Sequence, residues 1–350
     1  MEKTSLSITI NGYFHPRGGW GIFNWNLAEL LSSSGVNVFL RPTIPLGQHM
    51  SSLSSEQVAL LSKPIEKTKL GLYVVEPWAW IKEIKEDVQI AYSMVESDAI
   101  GGGWVATLNK MNGIIVPNQF IHDVFSSCGV LPPMHIIPPS VNTSHFGFIN
   151  RSGRKVFTFG MAGYMDDRKS AREVIQAFIS EFRGQNDVRL IIHSTNTDFG
   201  YYRGLKDPRI TISTKPMTYN EMRVFYSSID CYLAPSKGEG IGMTVLEAMS
   251  TGLPVIGTKW GGMTDVMTID KAFPLTEFEL KPRPMMIEQP GNWAYPCIPE
   301  IMFWMRWVFD NQPFAQEIGR NASMYVERVH SPAVVSEKLI DILTQYEPIK

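Results

Sequence analysis

Only three cysteines, Cys128, Cys231 and Cys297, occur in 350 residues, and no two form a Cys-x-x-Cys pair. That number and spacing exclude a disulfide framework and a cysteine zinc cluster, so a reducing, cytoplasmic compartment is expected. Excess charge of one sign is also lacking. The 32 Lys and Arg face 34 Asp and Glu, a formal net charge of −2. A general nucleic-acid binder needs a basic surface against phosphates, so no nucleic-acid partner is expected, although a small local phosphate site fits the balance. Charged residues are only 19% of the chain, which argues against long disordered or supercharged stretches. No uninterrupted apolar run is long enough to span a bilayer. Residues 124–150 carry no Asp, Glu, Lys or Arg, but Pro132, Pro133, His135, Pro138 and Pro139 break them up. A span is rejected there, and peripheral contact with the inner face of a membrane stays open. The opening MEKTSLSITING enters a strand-like run, so no leader peptide is expected.

Short apolar runs alternate with amphipathic stretches. Strands are predicted at 6–11, 36–40, 70–75, 88–94, 113–117 and 134–138, then at 155–162, 188–193, 209–213, 230–234 and 253–257. Most are continuously apolar, as strands buried on both faces are, and helical patterns separate them. The reading is α/β, with βαβ units and parallel sheets. Helix starts are predicted from capping boxes at Ser170 with Glu173 and Thr218 with Glu221, and from Ser331 before Pro332. The segment PPSVNTSHFGFINRSGR (138–154) is the predicted domain boundary. Residues 1–149 form one domain and 150–331 another. Residues 271–299 read as an irregular, proline-rich binding loop or lid.

Chemistry concentrates in DCYLAPSKGEGIGMTVLEAMSTGLPVIGTKWGGMTD (230–265). A buried strand ends in a loop with Gly238, Gly240 and Gly242, and a helix begins near Met243. Glycines before a helix let backbone N–H groups approach an anion, and the helix terminus adds partial positive charge. A phosphate or diphosphate near Gly242, Met243 and Thr244 is the natural guest. Glu239 in the loop and Glu247 in the helix are poor phosphate ligands but good acceptors for paired hydroxyls. Together they suggest a ligand with phosphates and sugar hydroxyls. The alternative is a helix-terminus charge and a satisfied surface glutamate.

The stretch PSKGEGIGMTVLEAMSTGLPVI resembles retaining glycosyltransferases of the GT-B fold, in the family called GT4, whose Glu-x7-Glu spacing Glu239 and Glu247 meet. GMAGYMDDRKSAREVIQAF resembles the segment that opens that family's second domain. ESDAIGGGWVATLNKMNGIIVPNQFIHDVF and GNWAYPCIPEIMFWMRWVFDN resemble further segments, so the likeness covers most of residues 90–345. The resemblance implies two Rossmann-like domains with parallel sheets facing across a cleft. The first would hold the acceptor and the second the nucleotide-diphosphate sugar, with a helix at 332–350 packing back on the first.

By the same resemblance Glu247 would hold ribose hydroxyls and Glu239 hydroxyls of the transferred sugar. Backbone at Gly240, Gly242, Met243 and Thr244 would hold the diphosphate, with Lys169 on the phosphates. Where the family has a second basic residue this chain has Tyr164, and Arg168 is the candidate substitute. Read alone, Arg168-Lys169 is a basic pair before a helix, usually a solvated one. Gly18 and Gly19, in Gly18-Gly19-Trp20-Gly21, match the family's glycine loop near donor and acceptor. This is not Gly-x-Gly-x-x-Gly, and the second strand ends in Arg41 instead of an acid, against a dinucleotide dehydrogenase. Glu96 falls where many members place a histidine near the transferred sugar. Its alternative is a strand-end carboxylate in a polar pocket.

The seven histidines form no His-x-His or His-x-x-x-His pair. His193 fits a strand cap or a cleft lining better than a metal ligand. Trp20, Trp78, Trp80, Trp104 and Trp260 are candidates for stacking on a sugar, with core packing as the commoner role. No Asp-x-Asp lies near the donor motifs, so neither metal nor other cofactor is expected. The expected activity is metal-independent, retaining transfer of a sugar (a hexosyltransferase) from a nucleotide-diphosphate sugar to a hydroxyl of a glycan, a glycolipid or a small molecule. The alternatives are a GT-B sugar-nucleotide epimerase and a non-catalytic sugar-nucleotide-binding protein.

Overall fold

The computed structural model of the protein describes residues 6–15, 18–47, 50, 53–64, 68–77, 86–151, 154–196, 205–284 and 290–347. Among them the chain divides into two units. One takes in Met1–Ser140, Pro284–Gly291 and Val329–Lys350, the other Val141–Arg283 and Asn292–Arg328.

In the first unit the strands are β1 (Ser7–Gly12), β2 (Asn37–Pro42), β3 (Leu70–Val74), β4 (Val88–Tyr92), β5 (Gly113–Val116) and β6 (Met134–Ile136). The intervening helices are α1 (Gly19–Ser33), α2 (Ser55–Ser62), α3 (Gly102–Leu108) and α4 (Gln119–Ser127). All six strands are parallel, in the order β2-β1-β3-β4-β5-β6. Buried side chains such as Ile8, Leu72, Ile90 and Ile114 lie at 0% exposure, which accounts for the continuous apolar runs. One polar residue, Asn24, is buried in α1. Asn24 donates to the Tyr13 carbonyl at 2.8 Å and the Val74 carbonyl at 2.9 Å, tying the helix to the ends of β1 and β3.

The second unit has β7 (Phe157–Gly163), α5 (Ala171–Glu181), β8 (Val188–Ser194), β9 (Ile210–Ser213), α6 (Tyr219–Ser228), β10 (Cys231–Ala234), α7 (Met243–Ser250) and β11 (Val255–Thr258). There follow β12 (Phe273–Leu275), β13 (Phe278–Pro282), β14 (Asn292–Pro296), α8 (Ile298–Asp310) and α9 (Gln312–His330), and then α10 (Pro332–Gln345), which belongs to the first unit. The sheet is again parallel, in the order β12-β11-β10-β7-β8-β9. Counted from its own first strand, this is the doubly wound order 6-5-4-1-2-3, which reverses direction between β7 and β10. Its core joins Phe159, Phe178, Leu190, Leu233 and Ile256 to Ile301 and Met305 of α8. The last helix, α10, packs on α1 within the first unit.

Several sequence expectations need correction. Residues 271–299 are not an irregular loop: β12 extends the parallel sheet, and β13 and β14 pair as an antiparallel ribbon, with residues 285–289 outside the described set. The prolines hid it, because Pro282 and Pro296 sit at strand ends, where no ladder hydrogen bond is lost. Ser170 is not a side-chain cap. It sits at φ 56° with no side-chain capping bond, and Glu173 pairs with Lys237 instead. Thr218 and Glu221 do form the capping box, and Ser54 with Gln57 form one that the pattern missed. Ser331 makes no side-chain capping bond, although Pro332 opens α10. Trp78 and Trp80 lie outside the described residues.

Candidate functional site

In open parallel sheets, ligands bind beyond the carboxyl ends of the strands where the strand order reverses. In the second unit that point lies between β7 and β10. The segment after β7 carries Arg168 and Lys169 in a short 3-10 turn, and the segment after β10 is the glycine loop. The topology therefore brings two stretches 70 residues apart to one place.

Backbone bonds tie the glycine loop to the turn after β7 and to the segment after β11. The Lys237 N–H donates to the Arg168 carbonyl at 2.7 Å, and the Gly262 N–H to the Glu239 carbonyl at 2.7 Å. Gly242 caps α7 at φ 68°, and a Cβ there would meet Met263 Sδ at 2.3 Å. At Gly262 a Cβ would meet the Gly240 carbonyl oxygen at 2.0 Å. A side chain is costly at both positions, at Gly242 through the left-handed φ and at Gly262 through the backbone it would meet.

Charge is dense. Arg168 lies 3.1 Å from Glu239 Oε1 and donates to the Gly238 carbonyl at 2.7 Å, while Lys169 also pairs with Glu239 Oε1. Burial alone would raise Glu239, but Lys169 and Arg168 outweigh it and hold its carboxyl down to about 2. Both cations of the turn after β7 thus meet the one carboxylate of the glycine loop. Beneath them Lys237, buried, pairs with Asp167 at 2.9 Å and Glu173 at 3.1 Å and lies 4.4 Å from the Tyr295 ring of β14.

Glu247 has a different setting. It is 6% exposed and pairs with no cation among the described residues. Burial pushes its carboxyl up to about 7, against a bond from Tyr226, whose hydroxyl donates to Oε2 at 2.8 Å. Three more buried polar atoms, Ser170 Oγ, His193 Nε2 and Thr258 Oγ1, have no hydrogen-bond partner among the described residues. His193 and Thr258 stand at the carboxyl ends of β8 and β11, and Ser170 opens α5. His193 therefore lines the end of the sheet, and burial keeps its imidazole below the usual histidine range. The donors and acceptors present suit a polar, anionic, hydroxylated guest.

Arg168, Lys169, Glu239, Gly240, Gly242, Met243, Thr244 and Glu247 thus share one sheet end. Tyr164 is exposed after β7. Gly18, Gly19 and Glu96 belong to the first unit. There Gly18 caps α1 at φ 109°. Glu96 follows β4 and raises Glu76, which follows β3; burial is the larger cause of that rise, and Trp20 of the glycine loop hydrogen-bonds Glu76. Burial and Glu76 push Tyr13, just past β1, up to about 12. Glu76 and Tyr13 were missed from the sequence. A carboxylate directly after the apolar run at 70–75 was the available signal, since β1 and β3 flank this sheet's own reversal. Trp104 is a core residue. Arg41 ends β2 paired with Glu86 at 2.7 Å, which takes up the place a dinucleotide's acidic residue would fill.

Residues 156–276 match the family model of glycosyl transferases group 1. The match falls within the second unit and includes the whole charged site. Sulfoquinovosyl transferase SQD2 of Arabidopsis thaliana is 38% identical over 60 residues, 17% of this chain. That stretch is only 12% of the relative's own length. A glycosyltransferase structure from Rickettsia africae superposes with a TM-score of 0.77 at 13% identity, over 99% of this chain and 100% of the other. Anabaena Alr3699/HepE, solved in complex with UDP-glucose, gives 0.73 at 12% identity, over 97% and 100%. The fold is accordingly α/β of the GT-B type, built on two parallel six-stranded sheets. No helix among the described residues is long and apolar enough to cross a membrane.

Proposed function

We propose that the protein is a retaining glycosyltransferase of the GT4 kind, moving a hexose from a nucleotide-diphosphate sugar to a hydroxyl acceptor without a metal ion. The observation that carries this is the arrangement at the reversal of the second sheet. Arg168, Lys169 and the α7 N-terminus offer positive charge, and Glu239 and Glu247 offer acceptors for hydroxyls. The family match over residues 156–276 and the UDP-glucose complex of the HepE neighbour support a sugar donor.

Each group has a task in this reading. The N–H groups of Met243 and Thr244, which open α7, meet the diphosphate, while Val245 and Leu246 donate to the Gly242 carbonyl. Lys169 and Arg168 stabilise the charge that grows on it as the sugar leaves, the role that elsewhere falls to a metal. Glu239 exchanges its Lys169 contact for sugar hydroxyls, and Glu247 receives the ribose. The bond from the anomeric carbon to the diphosphate breaks as the acceptor oxygen bonds that carbon on the same face. The acceptor proton passes to the leaving phosphate oxygen, so no separate base is required. Glu96, with Glu76 beside it, serves the acceptor side in the first unit. The acceptor is a glycan, a glycolipid or another hydroxyl compound.

The test is thermal stabilisation by UDP-, GDP- and ADP-sugars with EDTA and then with Mg²⁺. A ligand at 100 times its Kd adds about 2.7 kcal/mol. A metal-independent shift with one nucleotide class is expected, followed by turnover with retained anomeric configuration by NMR. No shift with any of them, in a folded sample, overturns the donor site.

A further inference from the structure

The phenol of Tyr226 is fully buried and has one proton for two acceptors. Its oxygen lies 2.8 Å from Glu247 Oε2 and 3.1 Å from the Thr244 carbonyl oxygen. Both acceptors belong to α7, so a side chain of α6 spans the first two turns of the helix that faces the anion site. The phenol is itself held in place. Phe146 packs edge-on against it at 5.6 Å and against Tyr219 at 4.8 Å, and His145 stacks on Tyr219 at 4.3 Å. On the other side Tyr232 of β10 donates to the Ala162 carbonyl at 2.9 Å and is hydrogen-bonded by the Thr244 side chain. Glu247 Oε1 has no hydrogen-bond partner among the described residues.

We propose that Tyr226 is the positioning residue of the ribose site, fixing the Glu247 carboxyl through Oε2 so that Oε1 meets the ribose hydroxyls. This rests on the donor-site reading above. One proton between two acceptors lets the phenol serve either form of the acid. With Glu247 ionised, Tyr226 donates to Oε2. With Glu247 protonated, the acid donates to the phenol oxygen, and the phenol donates to the Thr244 carbonyl. Ribose hydroxyls are donors and select the ionised form. Burial holds the free carboxyl up to about 7, so donor binding below neutrality releases a proton and affinity climbs with pH. Among the described residues, the titratable groups facing the carboxyl are Tyr226 from α6 and Tyr232 from β10. Burial holds both phenols well above 10, so neither titrates in that window.

Calorimetry of the full chain with UDP-glucose, GDP-mannose and ADP-glucose identifies the ligand that the wild type binds. Tyr226→Phe is expected to weaken it about ten- to a hundred-fold, the loss of a hydrogen bond to a charged group. It should also move the midpoint of the affinity–pH curve upward and shrink the penalty for the 2′-deoxyribose analogue. On a Glu247→Gln background the same change should cost little more, because both act on one contact. Melting without ligand reports whether the variants fold. Wild-type calorimetry at pH 6 in two buffers of different ionisation enthalpy serves if they do not, with proton release expected. Unchanged affinity and midpoint in Tyr226→Phe, full additivity with Glu247→Gln, or no proton release overturns the assignment and leaves the donor reading standing. A wild type that binds none of the three overturns both.

Discussion

Arg168 and Glu239 form an ion pair at 3.1 Å, although they stand 71 positions apart in the chain. Lys169 joins the same carboxylate oxygen, so one acid bridges the turn after β7 and the loop after β10. This triad sets the first prediction, and Glu247, a few residues on, sets one of opposite sign.

Glu239 is held down to about 2 in the folded chain against an ordinary glutamate value of 4.5. The unfolded chain therefore binds the extra proton between those values. The stabilisation is full above pH 4.5 and is lost as pH falls toward 2, by about 3 kcal/mol. Urea unfolding of the wild type should weaken more steeply over that window than that of Glu239→Gln. At pH 7 the variant should be less stable, because Lys169 and Arg168 lose their buried partner. Parallel acid limbs for the two proteins would refute this.

Glu247 runs the other way. Its carboxyl is raised to about 7, so the folded chain keeps its proton while the unfolded chain loses it. Its contribution is full below pH 4.5 and declines as pH rises through 7, by about 3 kcal/mol. Glu247→Gln should remove that decline. Its melting temperature relative to wild type should be higher at pH 8 than at pH 5, while donor affinity falls by about 1.5–3 kcal/mol at pH 8. Equal pH dependence in both proteins would count against the raised carboxyl.

Gly242→Ala meets two obstacles: the left-handed φ of 68° and Met263 Sδ at 2.3 Å. A destabilisation of about 1–3 kcal/mol is expected, with loss of donor-induced thermal stabilisation. Adding Met263→Ala should relieve the clash but not the backbone strain, so recovery should be partial. Full recovery would place the whole cost in the contact.

Much of the fold was legible because buried parallel strands announce themselves locally. Continuous apolar runs such as those ending at Ala234 and Gly257 need no partner to be read, and the glycine loop before Met243 carries its own helix-terminus chemistry. The ribbon of β13 and β14 was not legible, since its alternation is short and flanked by prolines. Ser170 misled because its neighbour pattern matches a capping box, while Lys237 takes Glu173 away.

The sequence by itself determined the α/β alternation, the glycine loop that opens α7 and the two glutamates beside it. These follow from periodicity, glycine placement and side-chain chemistry, which act over a few residues. Only the tertiary structure decided which charges meet. The pairing of Glu239 with Arg168 and Lys169, the burial of Lys237 against Tyr295, and the Tyr226 bond to Glu247 join segments that strand order alone brings together. The opposite protonation tendencies of Glu239 and Glu247 follow from that packing. A nearby cation favours the charge on one acid, while burial without a cation disfavours it on the other.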